Sequence, residues 1–239
     1  MNSIRFKRVF YILLAAGVIF LLSFAGIRAL RGIQEETADS VNALAGKEQV
    51  AKCFSNDPAG IAQAAASVVM LTVYNDHDSK IGAGTGFAAF EPTVLITAAH
   101  VIENMAYMTA TCDNGETFRI DTVIDADEDA DVAICRLPEN TKLTPLPYHI
   151  ETPARGEKVV VIGSQFGLVN LVSTGNICGS WETKAVNWIL YTAPVSSGCS
   201  GGPLLNDEGE VVGVITGSYE KGQNLNLAAP IEKALRLME

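Results

Sequence analysis

The most regular feature of the chain is a change in the spacing of its apolar positions near residue 67. Before it, apolar and small residues come in unbroken runs. After it they come in short β-branched stretches separated by turn residues. ValValMetLeuThrValTyr at 68–74 reads as a strand. The polar AspHisAspSerLys stretch at 76–80 then reads as a hairpin tip, followed by a glycine-rich run and by ThrValLeuIleThr at 93–97. Further strands are predicted at 107–112, just before AspAsnGly, and at 132–137, 158–162, 168–174, 188–192, 211–216 and 225–229. About a dozen short strands at this spacing point to an all-β sandwich or to barrels. The proline-bearing stretch 138–153 lacks alternation and reads as a connector between two halves.

The N-terminal pattern is different. Residues 9–27 form a run of nineteen residues without a charge, which as a helix would extend about 28 Å, close to the apolar thickness of a bilayer. Arg5, Lys7 and Arg8 precede it, and Arg28 and Arg31 follow. This favours a transmembrane signal anchor with residues 1–8 cytoplasmic and the remainder outside, periplasmic in a Gram-negative cell. The competing reading is a cleaved signal peptide of a secreted protein, because Ser23-Phe24-Ala25 has the small-residue pattern of a cleavage site. Residues 28–58 mix charges with alanine-rich patches and read as a partly helical stalk. Asn56-Asp57-Pro58-Ala59-Gly60 marks the start of a folded domain over 59–239.

Composition then narrows the function. The net charge is −10, yet the five bases before residue 33 face no acids, so the remainder holds 12 bases against 27 acids, or −15. Nucleic acid is not an expected partner. The five cysteines, at 53, 112, 135, 178 and 199, show no CxxC spacing, so neither a metal nor another cofactor is expected. Outside the cytoplasm a bridge such as Cys112–Cys135 is one reading of them, and small buried hydrophobes are the other.

The sharpest chemical signal is Gly198-Cys199-Ser200-Gly201-Gly202-Pro203. A serine nucleophile needs backbone N–H groups aimed at the oxygen that becomes negative, and a glycine-flanked turn can direct the Gly198 and Ser200 amides at one point. A plain flexible turn would have the same composition. What argues against it is a second motif upstream: Gly84-Thr85-Gly86-Phe87, then LeuIleThrAlaAlaHis ending at His100. His77 lies in a polar loop and His149 in the proline-rich connector, so both read as surface residues, leaving His100 as the candidate base.

In this order, ThrAlaAlaHis, AspValAlaIle and GlyCysSerGlyGlyPro resemble the trypsin-like proteases, and among them the HtrA/Deg branch. The similarity extends over 68–231 and implies an all-β, chymotrypsin-like fold of two six-stranded antiparallel β-barrels, about 67–137 and 154–231. It places the triad acid on Asp131, which abuts an apolar strand, whereas Asp125, Asp127, Glu128 and Asp129 read as a solvated acidic loop. The order His, Asp, Ser is that of the chymotrypsin fold and not of the α/β-hydrolases. Cys199 stands where the family usually has Asn or Asp. In the viral cysteine relatives the nucleophilic thiol occupies the position held here by Ser200, so Cys199 reads as a packing or redox-sensitive neighbour.

The resemblance implies a serine endopeptidase acting on polypeptides through an acyl-enzyme, with Gly198 and Ser200 as oxyanion donors. It places the specificity pocket at Pro194, Val195, Ile215, Thr216 and Gly217, where no acid lies, so small or medium aliphatic residues are expected before the scissile bond. A homotrimer is implied by resemblance only. No room is expected after the last strand for the PDZ domain usual in that branch. Two rivals remain, a catalytically silent membrane-tethered binding module and a hydrolase of esters.

Overall fold

The structure is a computed structural model, and it describes residues 58–141, 143–219 and 224–239. The predicted transmembrane segment and most of the predicted stalk lie outside the described residues, and among the described residues no helix is long and apolar enough to cross a membrane.

Helix α1, Pro58–Ala65, opens the described chain. The proline that reads as a turn in the sequence sits at the helix start, where its missing N–H leaves no partner unsatisfied. Ala64 and Ala65 bury against the core, so this helix is part of the folded domain.

The first half is a seven-stranded antiparallel sheet in the order β5-β4-β1-β2-β3-β7-β6. Its strands are β1 (Val68–Tyr74), β2 (Lys80–Ala88), β3 (Val94–Thr97), β4 (Tyr107–Thr111), β5 (Thr117–Ile120), β6 (Val123–Asp127) and β7 (Val132–Arg136). This corrects the expected six-stranded closed barrel. The reason lies in the chain between 117 and 127, which breaks at Asp121-Thr122 into two strands that occupy opposite edges of the sheet. Two connecting residues span at most about 11 Å, so the sheet is rolled until its edges nearly meet, without a ladder between them.

The second half is a closed six-stranded barrel in the order β10-β13-β12-β11-β8-β9. It comprises β8 (Lys158–Gly163), β9 (Leu171–Glu182), β10 (Asn187–Tyr191), β11 (Pro203–Leu205), β12 (Val211–Ser218) and β13 (Asn226–Pro230). β9 extends beyond its predicted end because it changes partners. Leu171 to Asn176 pair with β8, and Ile177 to Glu182 pair with β10. At this bend a Cβ on Gly175 would lie 2.2 Å from the Ala193 nitrogen, so only glycine fits. A short helix α2, Ile231–Arg236, closes the chain.

Alternation along single strands builds three cores. On β8, Val159 and Val161 face the interior of the closed barrel, while Val160 and Ile162 face the junction with the first sheet. On β1, Val68 faces that junction and Val69, Leu71 and Val73 line the inside of the first sheet. Strands buried on both faces show continuous apolar runs, as ValValValIle does. The connector between β7 and β8 joins the halves by backbone bridges, Ala89 with Leu146 and Tyr148 with Val211. The junction is where the chemistry sits.

Candidate active site

His100 lies in a 3-10 turn, Ala99–Ile102, directly after β3. Its Nδ1 contacts both Asp131 carboxylate oxygens, at 3.0 and 2.8 Å, and its backbone N–H donates to Oδ1 at 2.9 Å. One carboxylate therefore holds both ring and backbone. With the Nδ1 proton directed at Asp131, the Nε2 lone pair is free to accept a proton. The Asp131 hydrogen bond raises the His100 pKa above its ordinary value, with smaller help from the charges of Asp131 and Glu103 and against the opposing effect of burial.

Asp131 owes its aim to backbone geometry. Its φ of 54° is in the left-handed region, which aspartate tolerates better than most residues and which recurs at functional sites. The acidic loop before it is more than a solvated face. Asp127 Oδ1 accepts the Ala130 N–H at 2.9 Å, and the Asp131 N–H donates to the Glu128 carbonyl, so a tight turn delivers Asp131 to the start of β7.

The serine loop is positioned by glycines. Gly198 has φ +101°, and a Cβ there would lie 2.3 Å from the Ser164 carbonyl oxygen. Gly201, at φ +84°, would meet Thr97 Oγ1 at 2.2 Å, and Gly202 would meet the Ile162 carbonyl oxygen at 2.6 Å. No side chain fits at any of the three. The Cys199, Gly201 and Gly202 amides donate to the carbonyls of Ser196, Ile215 and Cys199. Among the described residues the Gly198 and Ser200 amides have no such acceptor, the condition an oxyanion site requires. The Ser200 hydroxyl donates to the Thr216 carbonyl at 3.3 Å.

β2 runs between the Ser200 loop and the turn that carries His100. The Thr85 N–H donates to the Ser200 carbonyl at 2.8 Å. Neighbouring Gly84 is enclosed so closely that a Cβ would lie 2.7 Å from Val101, the residue after His100, and 3.1 Å from the Ser200 carbonyl oxygen. Beside His100 a cavity of about 460 Å³ opens between β2 and the 3-10 turn, lined by Ile81, Gly82, Ala83, Glu103 and Asn104 among others.

Of the expected pocket residues, Pro194 is exposed and accepts the Ser173 hydroxyl on its carbonyl at 2.6 Å. Val195 packs against the barrel core. Thr216 occupies a bulge, since Ile215 pairs with Ala228 and Gly217 with Leu227, and the bulge re-aims the Thr216 carbonyl toward Ser200. Gly217 follows in the open, where a Cβ would meet nothing within 4 Å. Ile215 is buried in the barrel core beside Cys199, and its backbone exchanges bonds with Gly201 and Gly202 of the serine loop.

Cys199 is 1 % exposed, its sulfur lies over Gly163, and burial raises its thiol pKa. It packs the loop from behind. Cys112 and Cys135 are both free and buried in the core of the first sheet, which corrects the bridge considered for them. His77 is fully at the surface beside Asp76, and half-exposed His149 lies between Glu151 and Glu210. No metal-binding cluster occurs among the described residues.

Sequence reasoning missed two contributors. Ser164 walls Gly198, and Thr85 bonds both the Gly198 and Ser200 carbonyls. The only signal for Thr85 was a small hydroxyl residue between two glycines at the start of an apolar run.

A rolled antiparallel sheet and a closed barrel that bring histidine, aspartate and serine to their junction define the chymotrypsin-like class. A family model described as the trypsin-like peptidase domain matches residues 84–214, more than half of the chain. Serine protease HTRA1A of Danio rerio is 32% identical over 170 residues, which cover 67% of this chain and 35% of that protein. Serine protease HTRA1 of Xenopus laevis is 35% identical over 164 residues, covering 65% and 35%. A serine endoprotease from Yersinia pestis superimposes with a TM-score of 0.65 at 28% identity, covering 74% of this chain and 63% of that one. The chain thus belongs to the trypsin-like peptidase domain family, and it spans about a third of the length of these curated relatives.

Proposed function

We propose that this protein is a serine endopeptidase with Ser200 as nucleophile, His100 as general base and Asp131 as the residue that orients it. The observation carrying this reading is the grip of one carboxylate on both the ring and the backbone of His100, beside a loop whose Gly198 and Ser200 amides have no carbonyl acceptor among the described residues.

The Ser200 hydroxyl starts on the Thr216 carbonyl and rotates about its Cα–Cβ bond to give its proton to Nε2. The Oγ–carbon bond forms as the proton leaves, and the new oxyanion takes the Gly198 and Ser200 N–H bonds. His100 returns the proton to the leaving amine as the C–N bond breaks, and water releases the acyl-enzyme by the same steps in reverse roles.

Pro194, Val195, Thr216 and Gly217 border the space for the residue before the scissile bond, with Ile215 contributing backbone. None is charged, which supports a preference for small or medium aliphatic side chains. Cleavage-site profiling on a peptide library tests this, and a profile dominated by Arg or Glu would contradict it.

Residues 9–27 anchor the chain in a bilayer with the protease region outside the cytoplasm, on the length and flanking charge of that segment. N-terminal sequencing of membrane-fraction protein checks the anchor. A mature start at Gly26 would refute it. The resting bond from Ser200 to Thr216 is also what a catalytically silent binding module would keep, and reaction with a fluorophosphonate separates the two.

A further inference from the structure

We infer that Thr85 is a positioning residue for the oxyanion site, clamping the two carbonyls that bracket the Ser200 amide. The inference rests on the serine-peptidase reading above and extends it to a residue of the other sheet.

Thr85 is fully buried in β2 and spends all its polar groups at the junction. Its hydroxyl donates to the Gly198 carbonyl at 2.6 Å and accepts the Ser164 N–H at 2.9 Å. Its N–H donates to the Ser200 carbonyl at 2.8 Å, and its own carbonyl accepts the Thr97 hydroxyl at 2.8 Å. A hydroxyl has one proton to donate, and here it goes to the serine loop, with the Ser164 N–H on a lone pair.

The consequence is local. The peptide that carries the Ser200 N–H runs from Cys199 to Ser200, and the peptide carbonyls on either side of it, those of Gly198 and Ser200, are both held by Thr85. Gly198 is also the residue with the most rotational freedom, because it has no Cβ. Nothing in its own side chain keeps its φ at +101°. External contacts do: the Thr85 hydroxyl on its carbonyl, the Ser164 carbonyl, which sits where its Cβ would be, and the Phe166 N–H on the Ser197 carbonyl before it. Ser164 is in turn tied to the same Thr85 hydroxyl. Removing that hydroxyl releases the Gly198 carbonyl and loosens Ser164, and lets the Gly198–Cys199 peptide turn against the Gly198 N–H, whose own peptide the Phe166 N–H still holds, so the two amides no longer converge. His100 and Asp131 are untouched by these bonds.

The test compares Thr85→Val and Thr85→Ser in the full chain, measuring peptide hydrolysis per active site titrated with a fluorophosphonate. The valine variant keeps shape without the donor, and kcat is expected to fall on the order of 10- to 100-fold, below the 10²–10³ of losing an oxyanion donor outright. KM and the acid limb of the pH profile should not move, and serine should restore kcat to within about threefold. A residue that merely supports folding would lower the titratable fraction and leave kcat per site unchanged. Equal kcat in the valine variant, or failure of serine to restore it, overturns the inference. Should valine not fold, Thr85→Cys, with its weak S–H donor, carries the same test: reduced kcat per site supports the inference and unchanged kcat refutes it. A wild-type chain that neither hydrolyses peptides nor titrates refutes the peptidase reading itself, and the inference with it.

Discussion

The two halves of the site are built by different physics. On the first sheet, His100 and Asp131 are held by side-chain hydrogen bonds, and the histidine side chain remains 47% exposed. On the second barrel, the serine loop is held mainly by close backbone packing, which leaves no room for a Cβ at Gly198, Gly201 or Gly202, with the Thr85 hydrogen bonds added from the other sheet. Altering the first half should therefore change rate and pH dependence while sparing the fold. Altering the second should damage both together.

The strongest break is Asp131→Asn. It keeps the shape but puts an NH2 donor where a carboxylate oxygen faced Nδ1, which favours the wrong histidine tautomer and removes the charge, and peptide hydrolysis should fall by roughly 10⁴-fold in kcat. The sign of the pH effect follows from the raised His100 pKa. The base works when neutral, so the acid limb of kcat/KM in the wild type is expected above the ordinary histidine value and should move down in this variant.

Next in size is the contrast between Gly198→Ala and His100→Ala. The alanine Cβ would enter space held by the Ser164 carbonyl at an unfavourable φ, a strain on the order of 1–3 kcal/mol. In a domain of this size that lowers Tm by roughly 2–12 °C. His100→Ala, which empties a half-exposed position, should leave Tm nearly unchanged while removing activity. Equal loss of Tm in both would erase the distinction between the halves.

The smallest effect is expected from Glu103→Gln. This exposed carboxylate raises the His100 pKa only through its charge, so its removal should lower the acid limb slightly. The difference should shrink at high salt, where exposed charges are screened.

Sequence alone revealed the parts whose constraint is local. β1, β8 and β12 are β-branched runs bounded by turns, and the serine loop declares itself through consecutive glycines. β5 and β6 were missed because they are short edge strands with an exposed face, Thr117 and Arg119 on one and Val123 and Asp125 on the other. The break between them is also what turned the expected first barrel into an open rolled sheet. The mostly exposed second half of β9 was lost for a similar reason, its strand character coming from the partner β10.

At the site, His100 and Ser200 were legible as residue types in a motif. The left-handed φ of Asp131, the bulge at Thr216 and the bond from Thr85 to Gly198 were not. Each is set by tertiary context, the last between residues 113 positions apart.

The central claim is that Ser200 is an activated nucleophile. Its most direct test is to treat the purified protein with a fluorophosphonate at neutral pH and locate the adduct by peptide mass spectrometry. The account predicts one adduct, on Ser200, that is absent in Ser200→Ala and formed far more slowly in His100→Ala. No adduct, or one on another residue that persists in Ser200→Ala, would contradict it.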